Sequence, residues 1–166
     1  MPEFYSRNFS GGNCMVWGAI HSTGTVALAF ISNRMNSIDY QNILKTHLLP
    51  FLHRRQVRFV FQQDGASIHV SKCKNGTIPW LKNNNVELLE GWPGRSPDLN
   101  IIENLWGILT HRIYSQGKQY NSVDELKATI LQAWNEISLD TIRNLYRSLP
   151  NRMLDTIEKQ GKHIDK

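Results

Sequence analysis

Two cysteines in 166 residues are too few for a disulfide framework, and Cys14 and Cys73 match no metal-ligand spacing. They read as small buried thiols of a reducing compartment, since free cysteine usually packs as a small hydrophobe. Long apolar runs are also missing: no stretch approaches a membrane span, and Met1-Pro2-Glu3 does not open a signal peptide. There is no internal repeat and no low-complexity segment, so a solenoid or a biased linker is excluded. Acidic residues are scarce early on. Only Glu3 and Asp39 precede Asp64, so carboxylate chemistry has few positions to draw on in that part of the chain.

What is present is an ordinary globular balance, with 40% apolar and 20% charged residues, suited to one domain with a real core. A net charge of +5 and a pI near 9.4 favour a polyanionic partner only weakly. The basic residues are scattered, with small clusters at His53-Arg54-Arg55 and from Lys159 to Lys166.

The chain reads as β-β-α-β-α-β-α-α-α, an α/β domain with a helical C-terminal tail. Ser10-Gly11-Gly12 marks a turn. Residues 14–20 are apolar on both alternating faces, as in a strand covered on both sides, and residues 26–31 form its hairpin partner after Thr23-Gly24. Asn36 or Ser37 can cap a helix that places Tyr40, Ile43, Leu44, His47, Leu48, Phe51 and Leu52 on one face. Residues 58–61 predict a third strand and 86–89 a short fourth. Between them, residues 70–82 read as helical at both ends, interrupted by Asn75-Gly76 and Pro79. Asp98 is a plausible N-cap for a helix running to Tyr114, where Gly117 ends it. Ser122-x-x-Glu125 forms a capping box for the next helix, with Val123, Leu126, Ile130, Trp134 and Ile137 inward. A last helix from Leu139, bent or restarted at Pro150, turns Ile142, Leu145, Leu149, Met153 and Ile157 inward.

Three residues are candidates for chemistry. Asp64 follows an apolar strand, and ligands of α/β sheets gather at the carboxyl ends of strands. The plain alternative is a loop aspartate bonding its own backbone. Glu103 falls early in a helix, where it either ligates a metal or simply complements the helix dipole. His69 either touches substrate or packs. Asp98 competes with Glu103 as the acid, with an N-cap role as its alternative.

The pieces Val16-Trp17-Gly18-Ala19, Phe61-Gln62-Gln63-Asp64, Ile68-His69, Trp92-Pro93, Ser96-Pro97-Asp98-Leu99-Asn100 and Ile102-Glu103-Asn104-Leu105-Trp106 resemble the catalytic domain of Tc1/mariner transposases, in the Tc1-like branch of the DDE superfamily. Val123-Asp124-Glu125-Leu126 and Pro150-Asn151-Arg152 extend the likeness over nearly the whole chain. The resemblance implies an RNase H-like mixed sheet flanked by helices. It also implies phosphoryl transfer in which three carboxylates hold two Mg²⁺ (or Mn²⁺) ions. Asp64 matches the second of those carboxylates and Glu103 the third. DNA is the implied partner, with the chain itself or a full-length transposase as a further one, no membrane, and the nucleus as the place of action.

Three departures accompany the likeness. The strand that would carry the first carboxylate is not found. Glu3 has no strand around it, and Asp39 belongs to a helix on the outer face. Residues 1–166 are therefore expected to form a single DDE domain incomplete at its N-terminus, without a DNA-reading helix-turn-helix. Such a chain would hold a metal pair poorly and cleave little; its alternative is a non-catalytic remnant that binds DNA or a transposase. Asp64 and Glu103 are separated by 38 residues, where the likeness leads one to expect roughly 34, which places a loop near residues 75–79. Ile101 stands where the family usually has a proline at the start of the Glu103 helix.

Overall fold

Two strands whose residues are apolar on both faces need cover on both faces, and that requirement organises the domain. In the computed structural model, which describes residues 14–54, 58–89, 91–92 and 96–159, β1 (Met15–His21) pairs antiparallel with β2 (Gly24–Ile31). Val16 and Ile20 of β1 and Leu28 and Phe30 of β2 pack against one core, built mainly by Leu105, Leu109, Ile130 and Trp134. Trp17 and Ala19, with Ala27, Ala29 and Ile31, enter a second core around Tyr40, Leu44 and Leu81. The hairpin is thus the middle layer of three. Its register slips between Ala19 and Ile20, which pair with Ala27 and Thr25. Val26 is the extra residue, and this bulge turns it toward the second core.

Asn36 caps α1 (Ser37–Ile43), accepting from the Ile38 and Asp39 N–H groups while Asp39 returns a bond to the Asn36 N–H. Asp39 is therefore committed to a capping box. The helix continues through one π turn (Leu44–Leu48) into α2 (Leu49–His53). Pro50 lacks the N–H that would bond the Thr46 carbonyl, and the Leu49 N–H reaches back to Leu44 instead. The widened turn buries Leu49, which a regular helical face did not anticipate.

β3 is only Val60–Phe61, shorter than the four-residue strand expected, and pairs in parallel with β4 (Glu87–Leu88). Among the described residues the two pairs of strands are separate two-stranded sheets. The segment before α3 (Thr77–Asn83) departs from expectation. Residues 70–76 are turns, and Pro79 sits in the first turn of α3, where its missing N–H is harmless. Cys73 is consequently exposed rather than buried, whereas Cys14 is half-buried against the first core.

A 3₁₀ turn (Pro97–Leu99) leads into α4 (Ile101–Ile113), so the N-cap position belongs to Asn100 and not to Asp98. Gln116 and Gly117 end this region with positive φ. Ser122 caps α5 (Val123–Asn135) as expected, although the Glu125 carboxylate returns to the Asn121 N–H. α6 (Leu139–Glu158) runs unbroken through Pro150. Its first half buries Ile142 and Leu145, but Met153 and Ile157 point to solvent, contrary to the inward stripe expected. The turn at Ser10-Gly11-Gly12, Glu3, Arg55, Pro93 and the basic residues after Lys159 lie outside the described residues.

Candidate active site

Asp64 stands just beyond the carboxyl end of β3, on a segment pinned from two sides. Thr77 at the start of α3 donates its hydroxyl to the Ile68 carbonyl, and Gln41 of α1 donates its side-chain amide to the Asn75 carbonyl. Within the segment, the His69 and Val70 N–H groups both donate to the Ala66 carbonyl, at 2.8 and 3.1 Å. Asp64 Oδ1 accepts the Ala66 N–H at 3.0 Å, the local bond expected of a loop aspartate, and also contacts His69 Nδ1. The carboxylate is half exposed (50%), while the imidazole is largely covered (15%).

The cover is Tyr40. Its ring lies 4.1 Å from that of His69, centroid to centroid, at 31°. Its hydroxyl donates to Gln63 Oε1 at 3.1 Å, and Gln63 Nε2 donates to the His69 carbonyl at 2.9 Å. Burial, helped by the nearby Asp64 charge and opposed by a Trp17 interaction, pushes the Tyr40 phenol above its ordinary range and keeps it a donor. The hydrogen bond from His69 holds the Asp64 carboxyl below its ordinary value. Partial burial opposes this, and the Ala66 N–H and the His69 charge support it. At neutral pH Asp64 is ionised.

Glu103 is the third residue of α4, half-buried in the first turn, and its N–H donates to the Asn100 carbonyl at 3.0 Å. An acidic side chain is favoured there by the helix dipole, so the plain reading of Glu103 holds alongside any other. Buried Ile101 fills the position expected for proline and anchors the turn by packing instead. Arg152 of α6 donates to Asn104 Oδ1 and, at 3.3 Å, to the Asp98 carbonyl, so one guanidinium brackets Glu103 on both sides. Sequence reasoning missed this anchoring role, although the Pro150-Asn151-Arg152 block was its signal. A second fixture of α4 is Gly18. A Cβ there would stand 2.6 Å from Trp106 Cη2 and 3.0 Å from Trp134 Cη2, so the missing side chain seats the Glu103 helix on the hairpin.

Asp64 and His69 therefore meet, each held by its neighbours. Glu103 does not complete a metal-holding group with them: among the described residues no three His, Cys, Asp or Glu side chains stand together for that purpose.

The half-exposed, ionised aspartate beyond a strand end and the glutamate opening a later helix stand on one three-layer α/β frame. The chain belongs to the DDE superfamily endonuclease family, whose model matches residues 4–127. It is similar to the Tc3 transposase of Caenorhabditis elegans, 46% identical over 163 residues that cover 98% of this chain and 48% of that protein. It is also similar to the Tc1 transposase of the same organism, 36% identical over 91% of this chain and 54% of that one. The Tc1/mariner resemblance read from the motifs is borne out, and the chain spans about half the length of the curated relatives it matches. In fold it matches the Mos1 transposase catalytic domain solved with raltegravir and Mg, with a TM-score of 0.78 at 20% identity, over 92% of this chain and 77% of that one. The fold is accordingly RNase H-like, as expected.

Proposed function

We propose that this chain carries the DNA-cleaving and strand-transferring chemistry of a Tc1-like transposase, with Asp64 and Glu103 as two of its metal-binding carboxylates. The observation that carries this is Asp64 itself: an ionised carboxylate at the strand end whose two hydrogen bonds among the described residues both fall on Oδ1, leaving Oδ2 uncommitted. Both residues offer the hard oxygen donors that Mg²⁺ and Mn²⁺ take, and the described residues supply no third partner. Bound there, such ions supply activation of a water or a 3′-hydroxyl and charge stabilisation at the scissile phosphate. The protein's own part is to keep Asp64 ionised and oriented, to hold the first turn of α4 through Arg152 and Gly18, and to attract phosphate through its net charge of +5. DNA is the substrate in this reading, and the nucleus the place where it is met.

A chimera tests it without regard to chain length. Residues 4–166 would replace the matching segment of the Tc3 transposase, and excision of its element would be scored. Excision that Asp64→Asn or Glu103→Gln reduces to background is the expected result. Excision untouched by both substitutions contradicts the assignment.

A second reading, self-association or docking on a full-length transposase, is favoured by one feature. Met153, Leu154 and Ile157 are 47%, 58% and 71% exposed on the outer side of α6. Light scattering that reports a dimer for the parent and a monomer for Leu154→Lys would support it, and a monomeric parent would remove it.

A further inference from the structure

We propose that His69 is a positioning residue: with its ring stacked on Tyr40 and its backbone carbonyl held by Gln63, it donates Nδ1–H to Asp64 Oδ1 and so leaves Oδ2 as the oxygen presented to a divalent cation. This rests on the metal role proposed for Asp64 and gives His69 a different task from contacting substrate. An ionised carboxylate has acceptors only, so the proton of the His69–Asp64 contact sits on Nδ1.

Three bonds close a small ring. Ala66 N–H donates to Asp64 Oδ1, His69 N–H donates to the Ala66 carbonyl, and His69 Nδ1–H returns to Asp64 Oδ1. A loop aspartate needs only the first of these. The remainder is reinforced from a distant element. Tyr40 is 1% exposed on α1, stacks on the imidazole, and is tied through Gln63 to the His69 backbone, so the ring plane has little freedom. Histidine and carboxylate held this way are what a metal-binding carboxylate requires of its surroundings, since a ligand whose rotamer is fixed loses little freedom on binding.

The test has one arm free of metal. Long-range ¹H–¹⁵N spectra of the 166-residue chain at alkaline pH identify the ring tautomer, and Nδ1–H is expected for His69, reverting to Nε2–H in Asp64→Ala. An Nε2–H tautomer in the parent overturns the inference, and this reading needs no variant to fold. The second arm titrates Mn²⁺. His69→Phe keeps a ring against Tyr40 but has no donor, and is expected to lower Mn²⁺ affinity by about 10-fold or more. His69→Asn, whose amide can replace Nδ1–H, should stay near the parent. Uptake that depends on Asp64 but is unchanged in His69→Phe overturns the positioning role alone. Uptake that Asp64→Asn leaves unchanged overturns the metal reading and this role with it.

Discussion

Adding one methyl group at Gly18 tests whether the Glu103 helix is seated by shape. In Gly18→Ala the new carbon would lie 2.6 Å from Trp106 Cη2, 3.0 Å from Trp106 Cζ2 and 3.0 Å from Trp134 Cη2. The two indoles stack at 5.7 Å and 28°, and Trp134 is 4% exposed, so neither ring can yield freely. Overpacking of this kind costs about 1–3 kcal/mol. The alanine returns about 0.4–1 kcal/mol by restricting the unfolded chain. The two ranges net to a loss of about 0–2.6 kcal/mol, centred near 1.3 kcal/mol, or roughly 3–5 °C in melting temperature at that centre for a domain of this size. Urea unfolding followed by tryptophan emission measures it, and the same emission reports displacement of the stacked pair. Because Trp106 is one turn from Glu103, relaxation of the indole also moves the first turn of α4. A Gly18→Ala protein as stable as the parent, with unchanged emission, would refute the claim that the glycine sets this seat.

Other consequences are separable. Gln62 Nε2 is buried without a hydrogen-bond partner among the described residues, so Gln62→Met should stabilise the chain by about 1 kcal/mol in urea titration; a loss would show that the amide is satisfied. Arg152→Met removes both ties across Glu103 and should cost about 1–2 kcal/mol, with faster hydrogen exchange in peptides covering residues 96–104; exchange unchanged there would count against the bracket. The depressed Asp64 pKa makes a stabilising contribution that is fully present above the unfolded value of about 3.9 and lost as pH falls through the lower folded value. The stability gap between parent and Asp64→Asn, measured in chelator, should therefore shrink below about pH 4, and a gap that widens in acid would reverse the sign of the argued interaction.

Much of this fold was legible because local signals agreed with the global frame. Residues 14–20 and 26–31 are apolar on both faces, and the hairpin they form is indeed covered twice. Capping chemistry located the start of α5 at Ser122 and narrowed that of α1 to Asn36 or Ser37, since Asn36 and Ser122 satisfy backbone donors that any helix start leaves open. The misreadings have separate causes. Asp98 looks like a cap until Pro97 opens a 3₁₀ turn and passes the role to Asn100. Pro150 reads as a bend or a restart; the first half of α6 is held by Ile142 and Leu145 in the core, and the helix continues past the proline without restarting. The exposure of Met153 and Ile157 depends on where the first core ends, which no periodicity reports.

The site divides in the same way. Asp64 and Glu103 stood out through motif order and element ends, both readable in one dimension. The clasp on His69 did not, because Tyr40 lies on a helix 23 residues from Gln63 in sequence and only folding stacks it on the imidazole. Arg152 was equally hidden, acting across 48 residues on Asn104.

The central claim is that Asp64 and Glu103 both belong to the metal site, and substoichiometric Mn²⁺ added to isotope-labelled protein tests it most directly. Paramagnetic broadening of amide signals at residues 65–66 and at residues 102–104 together, both removed by Asp64→Asn, is the predicted result. Broadening confined to one of these segments, or persisting in Asp64→Asn, would contradict a shared site.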